Sequence, residues 1–529
     1  MRHAREKCIA ALFVLAAGGL GWRAYPLATG MVQAVMESEP RYSRTREVRE
    51  VRGQLLDREG NALHPVGGAF LTVVEPQYFT GTLGRARVEA LLGCSISASA
   101  WETGRPVTVV SDRRVEEPGI TQLAIPGQQP LWPAEHLLGY LDRQGGSGLS
   151  GLEARFDSRL STDGSISIEY RSDAAGHTMG AQAVQWQMEE PSRVENLSLT
   201  LDSQCQQIVT EAVRSGMQRG CALLLDARTG DILAMESMPA FDPLRVEQVL
   251  DSEEGELVNR ALQPYAPGSV FKLVVTCAAL ENGMAGEWTT FDCSGSVDVG
   301  GVEIGCSHKE GHGTLTLTQA LAHSCNPYFI QLAQRLGADT IVETAEKLGF
   351  GQSISLGEAL QTPAGQLPEE DTLSLPAGLA NFSIGQGDLL ATPLQVASFI
   401  QAIANGGTQN SPQLLRGWMD EEGNLTESLY HPQAERVFSQ ETAQRLTALM
   451  REVMTDGTGQ RGEVAGLEIC GKSSSAQAGE GRVDGWFAGF WPMEQPRYVL
   501  VVVCEEGGSG SGQALAVFRE IAQSLGNGD

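Results

Sequence analysis

The pattern of apolar positions predicts strands in two parts of this chain, between residues 197 and 235 and again close to the C-terminus. Apolar and polar residues alternate at 197–201, and short, mostly apolar runs lie at 221–225, 232–235, 484–491 and 498–504. Apolar spacing typical of helices is found in three others: 204–217, 273–280 and 517–525. Strands from both ends of one region, with helices between them, favour an α+β fold with an antiparallel sheet.

The N-terminus has the pattern of an exported protein. Arg2, Arg5 and Lys7 precede an uncharged apolar run from Cys8 to Trp22. A basic flank followed by an apolar segment predicts that the start stays in the cytoplasm and the rest crosses the membrane. The run is short against the roughly 20 residues of a spanning helix, so a cleaved signal peptide is the alternative. We favour an uncleaved single-pass anchor.

Length and charge limit the number of domains and the class of partner. The 529 residues leave room for two or three domains. Lys and Arg together number 38 against 65 Asp and Glu, which gives a net charge of −27. No basic tract interrupts this acidity, so nucleic acid is excluded as an expected partner. Residues 31–195 are charged and rich in turns, which distinguishes them from the region that follows.

The first candidate for chemistry is a Ser-x-x-Lys spacing at Ser269 and Lys272, directly after the turn residues Pro267 and Gly268. An apolar run compatible with a helix follows it. Residues three apart share a helix face, so the hydroxyl and the amine can meet at the first helical turn. A desolvated lysine can accept the proton of a serine nucleophile. The spacing alone is weak, because most such matches are solvated helix starts.

Two further motifs follow in order, Ser324-Cys325-Asn326 and Lys472-Ser473-Ser474. Ser-x-x-Lys, Ser-x-Asn and Lys-[Thr/Ser]-Gly are the active-site signatures of penicillin-binding proteins and serine β-lactamases. The chain resembles this family, and specifically its class B members, the monofunctional D,D-transpeptidases. A stretch at 383–387, Ser-Ile-Gly-Gln-Gly, extends the likeness between the second and third motifs.

The resemblance implies a role for each motif residue. Ser269 would attack the carbonyl between two D-alanines of a peptidoglycan stem peptide, and Lys272 would take its proton. Ser324 would relay a proton to the leaving amine, while Asn326 would hold the substrate amide and the region of Lys272. Lys472 would supply positive charge close to Ser324 and the substrate carboxylate.

The serines of the third motif complete the expected site. Ser473 would offer the substrate carboxylate a hydroxyl, and the backbone N–H of Ser475 would join that of Ser269 in an oxyanion hole. Ser474 stands where the family has glycine. Glycine usually marks a close approach of the backbone, so Ser474 must either intrude into the cleft or add a hydrogen bond. From intrusion we expect Ser474→Gly to accelerate acylation by penicillin.

Two boxes in the N-terminal half also match the family. Residues 52–60, Arg-Gly-Gln-Leu-Leu-Asp-Arg-Glu-Gly, and 150–153, Ser-Gly-Leu-Glu, resemble the boxes of a non-catalytic pedestal. By their chemistry they are turn and salt-bridge residues. The expected domains are a cytoplasmic tip with a membrane anchor at 1–30, a mostly β pedestal at 31–195 and a penicillin-binding transpeptidase domain at 196–529.

Ten cysteines are many for an exported protein. Cys293 and Cys306 bracket a strand-like excursion and can close it with a disulfide. With His308 and His312 they also suggest zinc, but their spacing fits no strong template. Related Gram-positive proteins often carry such a pair in this loop, so we expect two thiols of open redox state and no metal. Neither Cys325 nor His323 has the neighbours of a catalytic residue.

The function implied is crosslinking of peptidoglycan by a serine acyltransferase that β-lactams acylate, without a cofactor. Its partners would be stem peptides, the membrane and a separate membrane glycosyltransferase, since no segment is left for a glycan-polymerising domain. The expected location is the bacterial cell membrane, with the catalytic domain outside. The alternatives are a D,D-carboxypeptidase, a class D-like β-lactamase, or a penicillin-binding scaffold or sensor without turnover.

Overall fold

The computed structural model describes residues 43–526, together with residues 20 and 25. Its gaps lie at 64–68, 82–83, 112, 126–132, 143–145, 173–183, 244, 287, 358–359 and 480. The predicted anchor at 1–30 therefore falls outside the described residues, apart from two of them. In the part of the chain that is described, no helix has both the length and the apolar character needed to cross a bilayer.

Two compact units divide the chain. The first comprises residues 1–51, 66–127 and 163–192, and the second comprises 52–65, 128–162 and 193–529. The units are interleaved along the sequence, whereas the sequence led us to expect one boundary near residue 196. Both boxes of the expected pedestal, 52–60 and 150–153, belong to the second unit.

The first unit is built mainly on two three-stranded sheets. One contains the strands Ser43–Arg52, Ser161–Arg171 and Gln185–Glu189, and the other contains Val107–Ser111, Ala69–Val74 and Ile120–Ile125. Its helices are Gly84–Leu92 and Ala98–Glu102, with a 3₁₀ turn at Pro76–Tyr78. Buried aliphatic side chains such as Leu71, Val73 and Ile168 form its core.

A five-stranded antiparallel sheet organises the second unit. In spatial order its strands are Ile232–Met238, Gly220–Asp226, Tyr498–Cys504, Val483–Trp491 and Cys470–Gln477. All five are buried through most of their length. The strands predicted at 221–225, 232–235, 484–491 and 498–504 are confirmed, and the sheet joins segments from both ends of residues 196–529, as expected for an α+β fold.

Alternation along the strands assigns each face of this sheet to a different set of helices. Leu500 and Val502 pack with the helices Ser203–Gly216 and Gln513–Gly526. Val499 and Val501 point into the larger core, which contains the helix Lys272–Glu281. The other long helices of this core are Asn326–Leu336, Pro393–Ala404 and Gln440–Thr455.

Shorter elements complete the second unit. The remaining helices are Glu135–Leu138, Gly151–Arg155, Asp157–Leu160, Leu317–Ala322, Ala338–Lys347, Glu370–Leu373 and Pro376–Ser383. The 3₁₀ turns are Val246–Gln248, Arg260–Leu262, Gly268–Phe271 and Gln460–Gly462. Paired short strands are Thr290–Cys293 with Gly313–Thr316, Ser296–Val299 with Val302–Gly305, and Thr408–Asn410 with Ala434–Arg436.

A four-stranded sheet places the first box within the second unit. Leu55–Leu56 pairs in parallel with Asn196–Leu199. On its other side, Asn196–Leu199 pairs with Leu415–Met419, which in turn pairs with Leu425–Ser428. Next to it, the Arg52 guanidinium forms ion pairs with Glu153 at 2.8 Å and Asp157 at 2.7 Å. The salt-bridge interpretation of the two boxes is therefore confirmed.

Candidate active site

The Ser-x-x-Lys motif lies where a 3₁₀ turn runs into a buried helix. Ser269 belongs to the turn Gly268–Phe271, and Lys272 begins the helix Lys272–Glu281. Gly268 has a φ of 52°, a left-handed conformation that glycine adopts without strain. The expected helix is confirmed, and the turn directs Ser269 to the start of that helix, where N–H groups favour developing negative charge.

Lys272 is completely buried, and its ε-amino group is held by the second motif. Nζ donates to the carbonyl oxygen of Ser324 at 2.8 Å and to Oδ1 of Asn326 at 2.7 Å, and it approaches Ser324 Oγ at 3.3 Å. Burial lowers the pKa of Lys272 to about 7. An amine with this pKa is substantially neutral at physiological pH and can accept a proton.

Ser324 lies between the two motif lysines. Nζ of Lys472 donates to Ser324 Oγ at 3.0 Å and to the carbonyl oxygen of Ser473 at 2.8 Å. Burial, and then the charge of Lys272, lower the pKa of Lys472 well below its ordinary value. Ser324 itself has a φ of 56°, a left-handed conformation that is costly for a residue with a side chain. This backbone turn aims Oγ at both amines.

Both ends of the Asn326 side-chain amide form hydrogen bonds to other residues of the protein. Oδ1 accepts from Lys272 Nζ, and Nδ2 donates to the carbonyl oxygen of Gly305 at 3.0 Å. The side chain thus connects the nucleophile helix to the strand Val302–Gly305. The expectation that Asn326 holds the region of Lys272 matches this geometry.

The third motif lies on the edge strand of the five-stranded sheet, Cys470–Gln477. Ser473 and Ser474 are buried and Ser475 is exposed. Ser474 Oγ donates to the carbonyl oxygen of Pro267 at 2.8 Å, directly before the nucleophile turn. Of the three serines expected to bind substrate, only Ser475 is open to solvent.

Thr458, which was not identified from the sequence, contacts the third motif. Thr458 Oγ1 and Ser473 Oγ share a hydrogen bond of 2.6 Å. The N–H of Thr458 donates to the carbonyl oxygen of Ala322, two residues before Ser324. Thr458 stands in a Gly-Thr-Gly sequence at 457–459, and this glycine-rich turn was the one local signal that could have identified it.

The Ser383–Gly387 stretch packs against the nucleophile turn. The N–H of Gly268 donates to the carbonyl oxygen of Gly385 at 2.9 Å. A Cβ on Gly385 would lie 2.0 Å from the carbonyl oxygen of Gly268, which is far inside contact distance. Glycine is therefore required there by close backbone approach. Gln386 continues the contact, since its Oε1 accepts from the N–H of Gln477.

The cysteines singled out in the sequence are close to this site. Cys293 and Cys306 are free thiols, as are the seven other cysteines among the described residues. The disulfide considered from the sequence is therefore not formed. His323 stacks on His312 with their ring centroids 5.7 Å apart. Among the residues that the structure describes, no hydrogen bond of His323 or Cys325 makes either of them a base or a nucleophile partner.

Comparisons with known proteins identify the family. A family model described as the penicillin-binding protein transpeptidase domain matches residues 220–523, more than half of the chain. Penicillin-binding protein PbpB of Mycolicibacterium smegmatis is 32% identical over 419 residues, which cover 74% of this chain and 63% of the relative. Stage V sporulation protein D of Bacillus subtilis is 27% identical over 93% of this chain and 81% of its own length.

Solved structures show the same fold. Penicillin-binding protein 3 from Mycobacterium tuberculosis, complexed with aztreonam, has a TM-score of 0.65 at 25% identity, covering 92% of this chain and 97% of that one. A chain of a peptidoglycan synthase complex has a TM-score of 0.64 at 25% identity, covering 98% of this chain and 97% of that chain. The chain spans 63% of the length of the M. smegmatis relative, which is less than two thirds.

Proposed function

Because the chain belongs to the penicillin-binding protein transpeptidase family, as a class B member, we propose that it crosslinks peptidoglycan stem peptides through an acyl-enzyme on Ser269. β-Lactams acylate the same hydroxyl. The observation that carries the proposal is the convergence of Lys272 and Lys472 on Ser324, at 3.3 and 3.0 Å, beside the turn that presents Ser269.

The first half of the reaction forms the acyl-enzyme. Ser269 Oγ attacks the carbonyl carbon of the penultimate D-alanine, and its proton passes to the neutral amine of Lys272. The bond to the terminal D-alanine then breaks, and that residue leaves as an amine. Burial supports the role of Lys272, since it disfavours the ammonium form before the reaction begins.

Ser324 supports proton transfer to the leaving amine. Its hydroxyl is in reach of both lysine amines, so it can accept a hydrogen bond from one while it passes its own proton on. Lys472 supplies a compact charge or dipole beside this hydroxyl and the substrate carboxylate. In the second half, the amine of another stem peptide attacks the acyl carbon and forms the new amide bond. Its proton passes through the same groups to Ser269 Oγ as the ester bond breaks, which returns the enzyme to its starting state.

The oxyanion is stabilised by backbone N–H groups in this proposal. Those of Ser269 and Ser475 are the candidates, one on the nucleophile turn and one on the exposed part of Cys470–Gln477. This strand has a neighbour on one side only, Val483–Trp491, and so retains N–H groups that the sheet does not use. Fixed donors of this kind stabilise charge that develops in the transition state.

The domain arrangement and location are part of the same proposal. Residues 1–30 anchor the protein in the bacterial cell membrane, and the catalytic domain at 196–529 works outside. Residues 31–195 supply a non-catalytic pedestal, although 52–65 and 128–162 belong to the same compact unit as the three motifs. The likeness to a chain of a peptidoglycan synthase complex supports a separate membrane glycosyltransferase as the polymerising partner.

Labelling by fluorescent penicillin tests the nucleophile. We expect the wild-type protein to gain one drug mass on the peptide that contains Ser269, and Ser269→Ala to gain none. Ser215→Ala, on the surface of a helix in the same unit, is the control and should label as the wild type does. Label on another serine overturns the assignment.

Product analysis separates a transpeptidase from its hydrolytic rivals. With a stem pentapeptide and an amine acceptor, we expect a crosslinked product together with released D-alanine. Release of D-alanine without any crosslink, at saturating acceptor, identifies a carboxypeptidase instead. Labelling without turnover of any peptide identifies a scaffold or sensor.

A further inference from the structure

Four side chains that the proposed mechanism does not use converge behind the second motif. They are Cys293, Cys306, His312 and Cys325, and their sulfur and nitrogen donor atoms all lie within 4.8 Å of one another. The three cysteines are buried and His312 is half-buried. The sequence analysis paired Cys293 and Cys306 with two histidines, but it left out Cys325 because that residue stands inside an active-site motif.

The fold explains why these four side chains meet. Cys293 ends the strand Thr290–Cys293, and the strand that pairs with it, Gly313–Thr316, begins directly after His312. Cys306 follows the hairpin strand Val302–Gly305 and is fixed by its N–H, which donates to the carbonyl oxygen of Gly295 at 2.8 Å. Cys325 comes from outside this excursion, as the residue before the helix Asn326–Leu336.

The spacing of the donor atoms is that of a tetrahedral metal site. Nδ1 of His312 lies 3.5 Å from the sulfur of Cys293 and 3.5 Å from that of Cys306, and the sulfurs of Cys306 and Cys325 are 4.0 Å apart. Zinc–sulfur and zinc–nitrogen bonds of about 2.3 and 2.0–2.1 Å in a tetrahedron give edges of about 3.6 Å for N–S and about 3.8 Å for S–S. Three of the six edges agree with these values to within a few tenths of an ångström, and the other three are no longer than 4.8 Å.

The composition of the cluster also favours a metal ion. Three buried sulfurs and an imidazole within 4.8 Å of one another suit a soft divalent cation better than an apolar core.

We propose that Cys293, Cys306, Cys325 and His312 bind one structural Zn²⁺ ion. Three sulfurs and one nitrogen in a tetrahedron favour zinc among the common divalent ions. Four protein ligands fill the coordination shell, so the site has no open position for a water or a substrate. The expectation of no metal, which rested on the spacing and on the cysteine pairs of relatives, is replaced by this proposal.

The ion would fasten the second motif to the β excursion. Cys325 stands between Ser324 and Asn326, so its ligation fixes the backbone on which both depend. The side-chain amide of Asn326 already donates to the carbonyl oxygen of Gly305, the residue before Cys306. Zinc adds a second and stronger connection at the same place, and it resists movement of the strained Ser324 backbone.

Metal content of the full-length protein tests the proposal independently of any activity. The protein is purified without added metal or a metal-chelating tag, and zinc is measured by mass spectrometry. We expect about one zinc per chain, released when the thiols react with a mercurial. Co²⁺ exchanged into the site should show thiolate charge-transfer bands and the intense d–d bands of tetrahedral coordination.

Variants identify the ligands. Cys306→Ala and Cys325→Ala should each lower the zinc content at least tenfold after dialysis. Two controls should keep the metal: Cys205→Ala, a buried cysteine in the helix Ser203–Gly216, and His308→Ala, beside His312 but outside the four donors. Zinc retained in both ligand variants overturns the proposal. If neither ligand variant folds, the wild-type protein provides the test. The proposal is also overturned if the wild-type protein contains a Cys293–Cys306 disulfide and less than a tenth of a zinc per chain.

Discussion

The hydroxyl of Ser474 donates a hydrogen bond to the carbonyl oxygen of Pro267 at 2.8 Å. The residue that departs from the family pattern therefore fastens the edge strand to the turn that presents Ser269. Gly268 leaves room for this contact, since a Cβ there would lie 2.3 Å from Ser474 Oγ. Of the two possibilities raised by the sequence, intrusion or an added hydrogen bond, the geometry favours the second.

Replacing Ser474 is expected to lower stability rather than accelerate acylation. A buried hydrogen bond contributes about 1 kcal/mol, so Ser474→Ala should reduce the free energy of unfolding by about that amount. Ser474→Gly should cost roughly 0.5–1 kcal/mol more, because glycine is flexible within a strand. Thermal unfolding and the rate of penicillin acylation are the measurements. Faster acylation of the glycine variant at unchanged stability would restore the intrusion hypothesis.

The rate of acylation should depend on the protonation of Lys272. With a pKa of about 7, its amine is protonated and unable to accept the Ser269 proton at lower pH. The rate with a neutral β-lactam ester should therefore fall by about tenfold per pH unit below pH 7 and level off above it. Stopped-flow acylation between pH 5.5 and 8.5 measures this. A flat profile across that range contradicts Lys272 as the base.

Removing the Thr458 hydroxyl should impair acylation without unfolding the protein. Thr458→Val keeps the shape of the side chain and leaves Ser473 Oγ without the partner it has at 2.6 Å. We expect acylation to slow by about tenfold, which corresponds to about 1.4 kcal/mol. Thr458→Ser retains the hydroxyl and should restore most of the rate. Equal rates in the valine and serine variants would show that the hydroxyl has no part in the site.

The buried ion pair of the two boxes should matter for stability alone. The side chains of Arg52 and Glu153 are 6% and 1% exposed, so Arg52→Ala removes the guanidinium from a buried carboxylate. We expect a loss of roughly 3–5 kcal/mol in the free energy of unfolding.

A surface pair provides the matched control for that change. Arg193 is 66% exposed and pairs with Glu195 at 2.7 Å, so Arg193→Ala should cost less than about 1 kcal/mol. Denaturant unfolding gives both values, and penicillin labelling at low temperature should be retained in both variants. Similar losses for the two variants would contradict a special role for the buried pair.

The sequence by itself determined the strands of the central sheet, three of the helices and the identity of the three motifs. The strands at 221–225 and 498–504 and the helix after Ser269 were predictable because short apolar runs and helical spacing are local properties of the chain. The order Ser-x-x-Lys, Ser-x-Asn, Lys-Ser-Ser was equally visible, since each motif occupies no more than four residues.

Only the tertiary structure decided what these residues touch. The contacts of Ser474 with Pro267 and of Ser473 with Thr458 join segments 207 and 15 residues apart, and no local pattern specifies such neighbours. Cys325 resembles an incidental residue of the second motif until folding brings it to Cys306, with their sulfurs 4.0 Å apart. Local preferences fix which face a side chain takes, whereas the packing of buried strands and helices from distant segments fixes which groups meet on that face.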